Sequence, residues 1–419
     1  MTQMVNADDK PKQCTCWGPV TAAVIATFAA VTPGFTVGAL TDSITKDLGT
    51  STGILGVALA CFFAFTAIGS PFSVRLAKRL PTGLQLAIST LISGLVMFGI
   101  GDVSQVGMCV LLLIVGGCAN SLVQPAVGNI LNTVPQRRLS FTSGLIQAAL
   151  GAGTLPAFLL LRFVATPYGR RAAFTVGGAL VSLSTVVVFL LARNINSNIM
   201  SGKPNTLETT KSLVPAGARP LYLWSLGAAM GSVGVTGVSS FFIPIATSQG
   251  YSISVAASFA LAISGLAGLT RIVAGLIADQ RPNSNVVLVI WMMLLGMIGL
   301  ITVSFHIPNL FLVGSFVLVI GLYGWNGLLV SAAVRLIPES SAKILGWLQM
   351  GFFTGATFAP LVFGLLMSAI GIRWALLAAA VFVIFGALLI IFGERFRRKG
   401  ELGVREPSTR DVQRWDIPH

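Results

Sequence analysis

The sequence predicts an all-α membrane protein of twelve transmembrane helices arranged as two six-helix repeats. Three observations lead there. Of 419 residues, 54% are hydrophobic and only 10% charged, with a mean hydropathy of +0.86, whereas a soluble domain carries about 25% charged residues. Apolar runs of the length that crosses ~30 Å of hydrocarbon, about 20 residues, recur along the whole chain. Short motifs of the first half return in the second at an offset of about 202 residues.

The runs fall near 18–41, 52–74, 84–102, 106–133, 140–165 and 172–192, and again near 220–247, 253–278, 284–305, 309–334, 342–368 and 373–393. Of the 13 acidic residues, only Asp42, Asp47, Asp102, Glu208, Asp279 and Glu339 lie between Lys12 and Ile391. Pro33, Pro125, Pro156, Pro244 and Pro360 stand inside runs one, four, five, seven and eleven. Each removes a backbone bond and permits a kink, which suits helices that bend between two states. Gly144–Gly153 in run five (GLIQAALGAG) favours close helix approach. The polar stretch 194–219 divides the runs six and six and reads as a flexible linker. The expected organisation is therefore a tail (1–16), a first bundle (17–193), the linker (194–219), a second bundle (220–394) and a basic tail (395–419). That last tail reads as disordered, with its first residues on the anionic inner leaflet.

The net charge of +14 raises nucleic acid as a partner, but cytoplasmic loops are rich in Lys and Arg for another reason. An even number of spans puts both termini on one side. That side holds 21 Lys and Arg against 5 on the other, with Arg271 left inside. The expectation is thus a multi-pass protein of a bacterial inner membrane, both termini cytoplasmic and no nucleic acid bound. The polar N-terminus lacks a cleavable signal pattern, so the first span is expected to be retained. Cys14 and Cys16 form a CxC too short for a zinc site, and Cys61, Cys109 and Cys118 lie in apolar runs. No disulfide framework, metal or cofactor is indicated. No phosphate-cradling loop or catalytic triad occurs, so neither ATP-driven transport nor an enzyme is expected.

The repeat supports the midpoint. Gly144-Leu-Ile-Gln147 opens run five and Gly346-Trp-Leu-Gln349 opens run eleven. Gly169-Arg-Arg171-Ala recurs as Gly371-Ile-Arg373-Trp, Gly49 matches Gly250, and 75–81 (RLAKRLP) corresponds to 276–282 (LIADQRP). Two such halves place a substrate site between them near mid-membrane.

After run eight, Gly275-x3-Asp279-x-Arg281 resembles the cytoplasmic gate motif of the major facilitator superfamily, and the resemblance covers 15–395. The copy after run two departs from it: Val74 replaces the glycine and Lys78 the aspartate. The resemblance implies the major facilitator fold, a small-molecule substrate and, as the family's default, a monomer. It also implies that Asp279 closes the inside by pairing with the start of span five, next to Arg137 and Arg138. Lys78, with its sign inverted, would pair with Glu339 at the start of span eleven. Arg271-x3-Gly275-x3-Asp279 is similar to span eight of the oxalate–formate exchanger and the monocarboxylate transporters, where the arginine is implied to bind substrate carboxylate. Gly324-Trp325-Asn326-Gly327 is similar to the cyanate-transporter-like branch.

Arg271 is the sharpest candidate on its own chemistry. Its guanidinium is a planar fork that binds carboxylate and does not give up its proton, and inside a span it must face the bundle interior. It either contacts substrate or braces the gate through helix-end carbonyls or Asp279. The amides Asn120, Gln124, Asn129, Gln147, Asn326 and Gln349 form a second tier, lining a cavity or bonding helix to helix. Phe35, Phe241, Phe242, Tyr323 and Trp325 either cover an organic substrate or pack. No Asp, Glu or His lies well inside a span, and Asp42 is the one plausible titrating group near a pathway. Exchange or facilitated diffusion of a small organic anion, or co-transport in which the substrate carries the proton, is expected. Efflux of hydrophobic drug-like compounds, with Arg271 structural, is the first alternative. A sensor on the same fold is a further one, but it calls for a signalling domain larger than these tails.

Overall fold

The computed structural model describes residues 17–193, 219–336 and 338–405. The expected tail 1–16, nearly all of the linker and the last residues of the chain lie outside the described residues. Eleven continuous helical stretches among those described are long and apolar enough to cross a membrane, and the longest, Gln136–Ala192 at 57 residues, is two crossings in one. Gly169, at φ 82° and ψ 173°, turns the chain there. The twelve crossings are α1 (Trp17–Ala39), α2 (Thr52–Ala77), α3 (Thr82–Asp102), α4 (Val106–Asn132), α5 (139–168), α6 (170–192), α7 (Arg219–Ser248), α8 (Ile253–Gln280), α9 (Asn285–Val303), α10 (Pro308–Leu336), α11 (Ser341–Ile370) and α12 (Ile372–Arg405).

The repeat is visible in local conformation. The glycines with positive φ are Gly49, Gly169, Gly250 and Gly371, two repeat-related pairs at helix turns. Only glycine adopts this backbone region without a Cβ penalty, so the motif matches mark turns that the two halves share. Ser51 caps α2 by accepting from the Ile54 amide, and Ser252 caps α8 from Val255, both at 3.4 Å.

The packing repeats as well. In the first half α1 packs on α5 and α6, α2 on α4, and α3 on α6. In the second, α7 packs on α11 and α12, α8 on α10, and α9 on α12. Between the halves α5 lies against α8 and α10, and α11 lies against α2 and α4. Small residues set these approaches: a Cβ on Gly128 would stand 2.7 Å from the Ala342 Cα, and one on Gly275 would stand 2.5 Å from the Ser140 carbonyl.

Prolines act as the sequence implies. Pro125 has no N–H to donate to Ser121, four residues back, and α4 turns at Leu122. The freed Ser121 carbonyl finds a side chain instead, Ser73 Oγ donating to it at 2.8 Å, and Gln85 Nε2 reaches the neighbouring Leu122 O at the same distance. In α7 the helix departs from regular geometry at Phe241, three residues before Pro244.

One expectation needs correction. The chain after Gly393, read as disordered, continues as helix to Arg405. Glu394 pairs with Arg397 at 2.6 Å and Arg398 at 2.9 Å, the i,i+3 and i,i+4 spacings that support a helix surface.

Candidate functional site

The site forms where α5, α8 and α10 meet. Arg271 points inward from α8 and is 4% exposed. Its Nε donates to the Tyr323 carbonyl of α10 at 2.9 Å and its Nη1 to the Gln147 carbonyl of α5 at 3.0 Å. The guanidinium carbon lies 5.5 Å from the centre of the Tyr323 ring, within cation–π range. A Cβ on Gly151 would collide with Nη1, and one on Gly144 with the Arg271 carbonyl. The glycine-rich stretch of α5 therefore makes the room that lets a cation sit between the halves.

Around it the predicted amides divide. Asn326 Nδ2 donates to Gln147 Oε1 at 3.0 Å, which ties α10 to α5. Among the described residues, Gln147 Nε2 and Asn326 Oδ1 have no partner, and neither do any of the four side-chain polar atoms of Gln124 and Gln349. Both of the latter are fully buried. Asn120 is placed differently: its Nδ2 donates to Thr66 Oγ1 at 3.3 Å within the first half, so it joins α4 to α2. Asn129 likewise reaches Thr82 of α3 at 3.4 Å.

Phe35 and Trp325 are the two ends of an aromatic chain. Phe35 meets Phe63 at 6.3 Å, Phe63 stacks on Phe353 at 6.4 Å, Phe353 meets Phe352 at 5.6 Å and Phe352 meets Trp325 at 6.1 Å. The chain crosses between the halves at Phe63–Phe353. Reading the sequence passed over Phe63, Phe352 and Phe353, because in an apolar helix no periodic signal separates an interior aromatic from a lipid-facing one. Tyr323 is half-buried, and its hydroxyl is in hydrogen-bond contact with Ser239 Oγ of α7. Ser239 was also missed; a lone serine in a span carries no signal by itself.

The expected gate residues lie at the end of the bundle where α6 ends and α7 begins. Asp279 Oδ1 and Oδ2 accept from the Ser140 and Phe141 amides, both at 2.8 Å. Those amides open α5, where unpaired N–H groups and the helix dipole favour a carboxylate. Gly275 packs one turn earlier, against Ser140 and Phe141. The ion partner of Asp279 is Arg335 at 3.1 Å, which also donates to Ser140 Oγ at 2.8 Å and the Gln136 carbonyl at 2.9 Å. The Asn285 amide lies 2.9 Å from the Ser140 and Ser331 hydroxyls. Arg137 and Arg138, expected beside Asp279, are exposed instead, and Arg138 stands 5.9 Å over the Trp17 ring. Their side chains leave the seam because Arg335 already fills the space facing the carboxylate. Lys78 is exposed at the end of α2. Glu339 belongs to the short turn Pro338–Ser340, but its side chain lies outside the described residues. Asp42 is exposed in the short helix Thr41–Leu48.

Twelve crossings in two repeated halves, with a charged seam at one end and a buried cation where α5, α8 and α10 meet, define a multi-pass membrane protein. The chain belongs to the Major Facilitator Superfamily, whose description matches residues 22–343. Over 138 residues it is 30% identical to the multidrug resistance protein MdtG of Dickeya zeae (strain Ech586), covering 33% of this chain and 34% of that one. Over 159 residues it is 26% identical to MdtG of Proteus mirabilis (strain HI4320), covering 38% and 40%. The chain thus spans only 34 to 40% of the length of the curated relatives it matches. Its fold superposes on FucP in the outward conformation with a TM-score of 0.65 and 13% identity, covering 91% of this chain and 99% of that one. A bacterial homolog to the human lysosomal transporter Spinster, inward-facing and unoccupied, gives 0.63 at 15% identity, covering 93% and 98%. At such identities the likeness is one of fold.

Proposed function

We propose that this transporter moves a small organic anion, a carboxylate, by alternating access, with Arg271 binding the charged group. The observation that carries the reading is a guanidinium, 4% exposed, whose hydrogen bonds go to two neutral carbonyls and to no carboxylate. Its Nη2 makes no hydrogen bond to any described residue. A buried charge without a counterion is unfavourable, and an anion bidentate on the fork relieves it. The acid two turns along α8, Asp279, is committed to Arg335 and the start of α5. Gln147 and Asn326 border the guanidinium, and the aromatic chain from Phe35 to Trp325 covers the apolar part of the substrate.

Asp279, Gly275 and Arg335 close the inner end, with Arg137 and Arg138 as its exposed rim, and Lys78 with Glu339 closes the repeat-related place. The charge asymmetry supports a cytoplasmic location for that end and for both termini, in a bacterial inner membrane, with a monomer as the working unit. Transport then runs as exchange, as facilitated diffusion, or with the substrate carrying the proton.

Efflux of hydrophobic compounds is the second reading, favoured by the aromatic chain and by the MdtG relatives. Thermal stabilisation of the purified protein by mono- and dicarboxylates, beside Arg271→Gln, separates the two, because ligand binding to the native state raises the melting temperature. Acids that stabilise the parent and not the variant support the anion reading. Neutral or cationic compounds that stabilise both equally, with no effect of acids, support efflux.

A further inference from the structure

Resting on the anion reading, a finer feature of the same site names the substrate more closely. Ser239 Oγ lies 2.7 Å from the Val235 carbonyl and also contacts the Tyr323 hydroxyl. A carbonyl oxygen can only accept, and a serine has one proton to give. The 2.7 Å contact therefore takes the Ser239 proton, and Ser239 must accept from Tyr323. The Tyr323 proton is turned away toward α7, and its phenolic oxygen keeps acceptor capacity only. Ser239 is exposed and Tyr323 half-buried, so the pair is not sealed inside the bundle. The ring that carries it lies under the Arg271 guanidinium.

The two groups ask for different partners. Arg271 Nη2 offers N–H groups to an anionic oxygen, whereas the Tyr323 oxygen repels an anion and accepts from a neutral donor. An ammonium would suit the oxygen but would face the guanidinium of Arg271, with like charges close together. A hydroxyl meets both conditions. We infer that Tyr323 and Ser239 form a specificity subsite for a hydroxyl group on the substrate, and that the preferred anion is a short hydroxy-carboxylate. Ser239 acts by orienting Tyr323 and is a positioning residue.

The test is a titration of the purified full-length protein with matched acids, glycolate against acetate and lactate against propionate, read as thermal stabilisation. One added neutral hydrogen bond makes the hydroxylated acid bind about five-fold tighter in the parent. Tyr323→Phe keeps the ring over Arg271 and removes the oxygen, so the ratio falls to about one. Ser239→Ala frees the Tyr323 proton to point at the anion, so the acid without a hydroxyl gains and the ratio drops below the parent's. A ratio of one in the parent overturns the subsite while leaving the anion reading standing, provided Arg271→Gln still abolishes binding. Equal weakening of both acids by Tyr323→Phe also overturns it, since that is what a mere prop for Arg271 would do. Stabilisation by no acid at all overturns both readings.

Discussion

Two seams join the halves, and the repeat makes them counterparts: α5 against α8 and α10, and α11 against α2 and α4. On the first, Arg271 reaches the Gln147 carbonyl, Asn326 reaches the Gln147 side chain, Ser143 Oγ donates to the Gly327 carbonyl at 2.8 Å, and Asp279 holds both the start of α5 and Arg335. On the second, the equivalent positions carry other chemistry. Ser70 stands for Arg271 and bonds to Thr66 on its own helix, Val74 stands for Gly275, and an exposed Lys78 stands for Asp279. Gln124 and Gln349 are the counterparts of Asn326 and Gln147, yet their polar atoms have no partner among the described residues. Hydrogen bonds of α11 run to α7 of its own half, Ser225 to the Trp347 carbonyl and Ser232 to that of Phe352, both at 2.8 Å. Lys343 in its first turn is engaged as well. Among the described residues, one seam is strapped by charge and the other is closely packed at Gly128 and Gly346. Homologous surfaces are thus joined by different physics.

The comparison can be broken at the strap first. Asp279→Asn leaves Arg335 facing a neutral amide at a site where the carboxylate is 9% exposed; breaking such a pair costs about 3 kcal/mol. Spin labels at the starts of α5 and α11 should then show the population moving toward the opened end. An unchanged distance distribution would mean that the carboxylate does not hold the seam.

Next comes Gly144→Ala, whose Cβ collides with the Arg271 backbone. It should lower stability by about 2 kcal/mol through overpacking. Gly346→Ala meets the Ser70 carbonyl and a Val74 methyl at 2.9 Å and should do less, because the overlap is shallower than that with the Arg271 carbonyl at Gly144. Melting temperatures of the two variants check the order. Replacing both Gln124 and Gln349 by Leu removes buried polar atoms that have no partner. The closed seam should gain about 1 kcal/mol, seen as a higher melting temperature with slower transport. A fall would mean that these amides are satisfied by cavity water. The smallest effect, about 0.5 kcal/mol, is expected for Lys78→Glu, with transport recovered on adding Glu339→Lys. Failure of that rescue would remove Lys78–Glu339 from the gate.

The sequence was explicit wherever one dimension suffices. Hydropathy and helix length placed the crossings, since a span must bury its backbone polar groups within itself. The offset of about 202 residues matched Gly49 to Gly250 and Gly169 to Gly371, and a positive φ at all four explains why glycine recurs. Arg271 stood out because an unaccompanied charge inside a span has few tolerable environments. The site was legible only in part. Arg335 falls at the end of a span, where the sequence does not separate a gate cation from any other on that side, and nothing in a hydrophobic helix tells which of its faces turns to which neighbour.

Those choices belong to the packing of segments far apart in the chain. Arg335 meets Asp279 across 56 positions, Arg271 meets Gln147 across 124 and Ser143 meets Gly327 across 184. The fold class, the number of crossings, the repeat and the buried cation were determined by the sequence itself, because the bilayer acts on each helix separately. Which amides bond, that Arg335 rather than Arg137 or Arg138 answers Asp279, and that Tyr323 meets Ser239 were decided by tertiary structure. Hydrogen bonds depend on distance and direction to within a fraction of an ångström, and only the assembled helices set those.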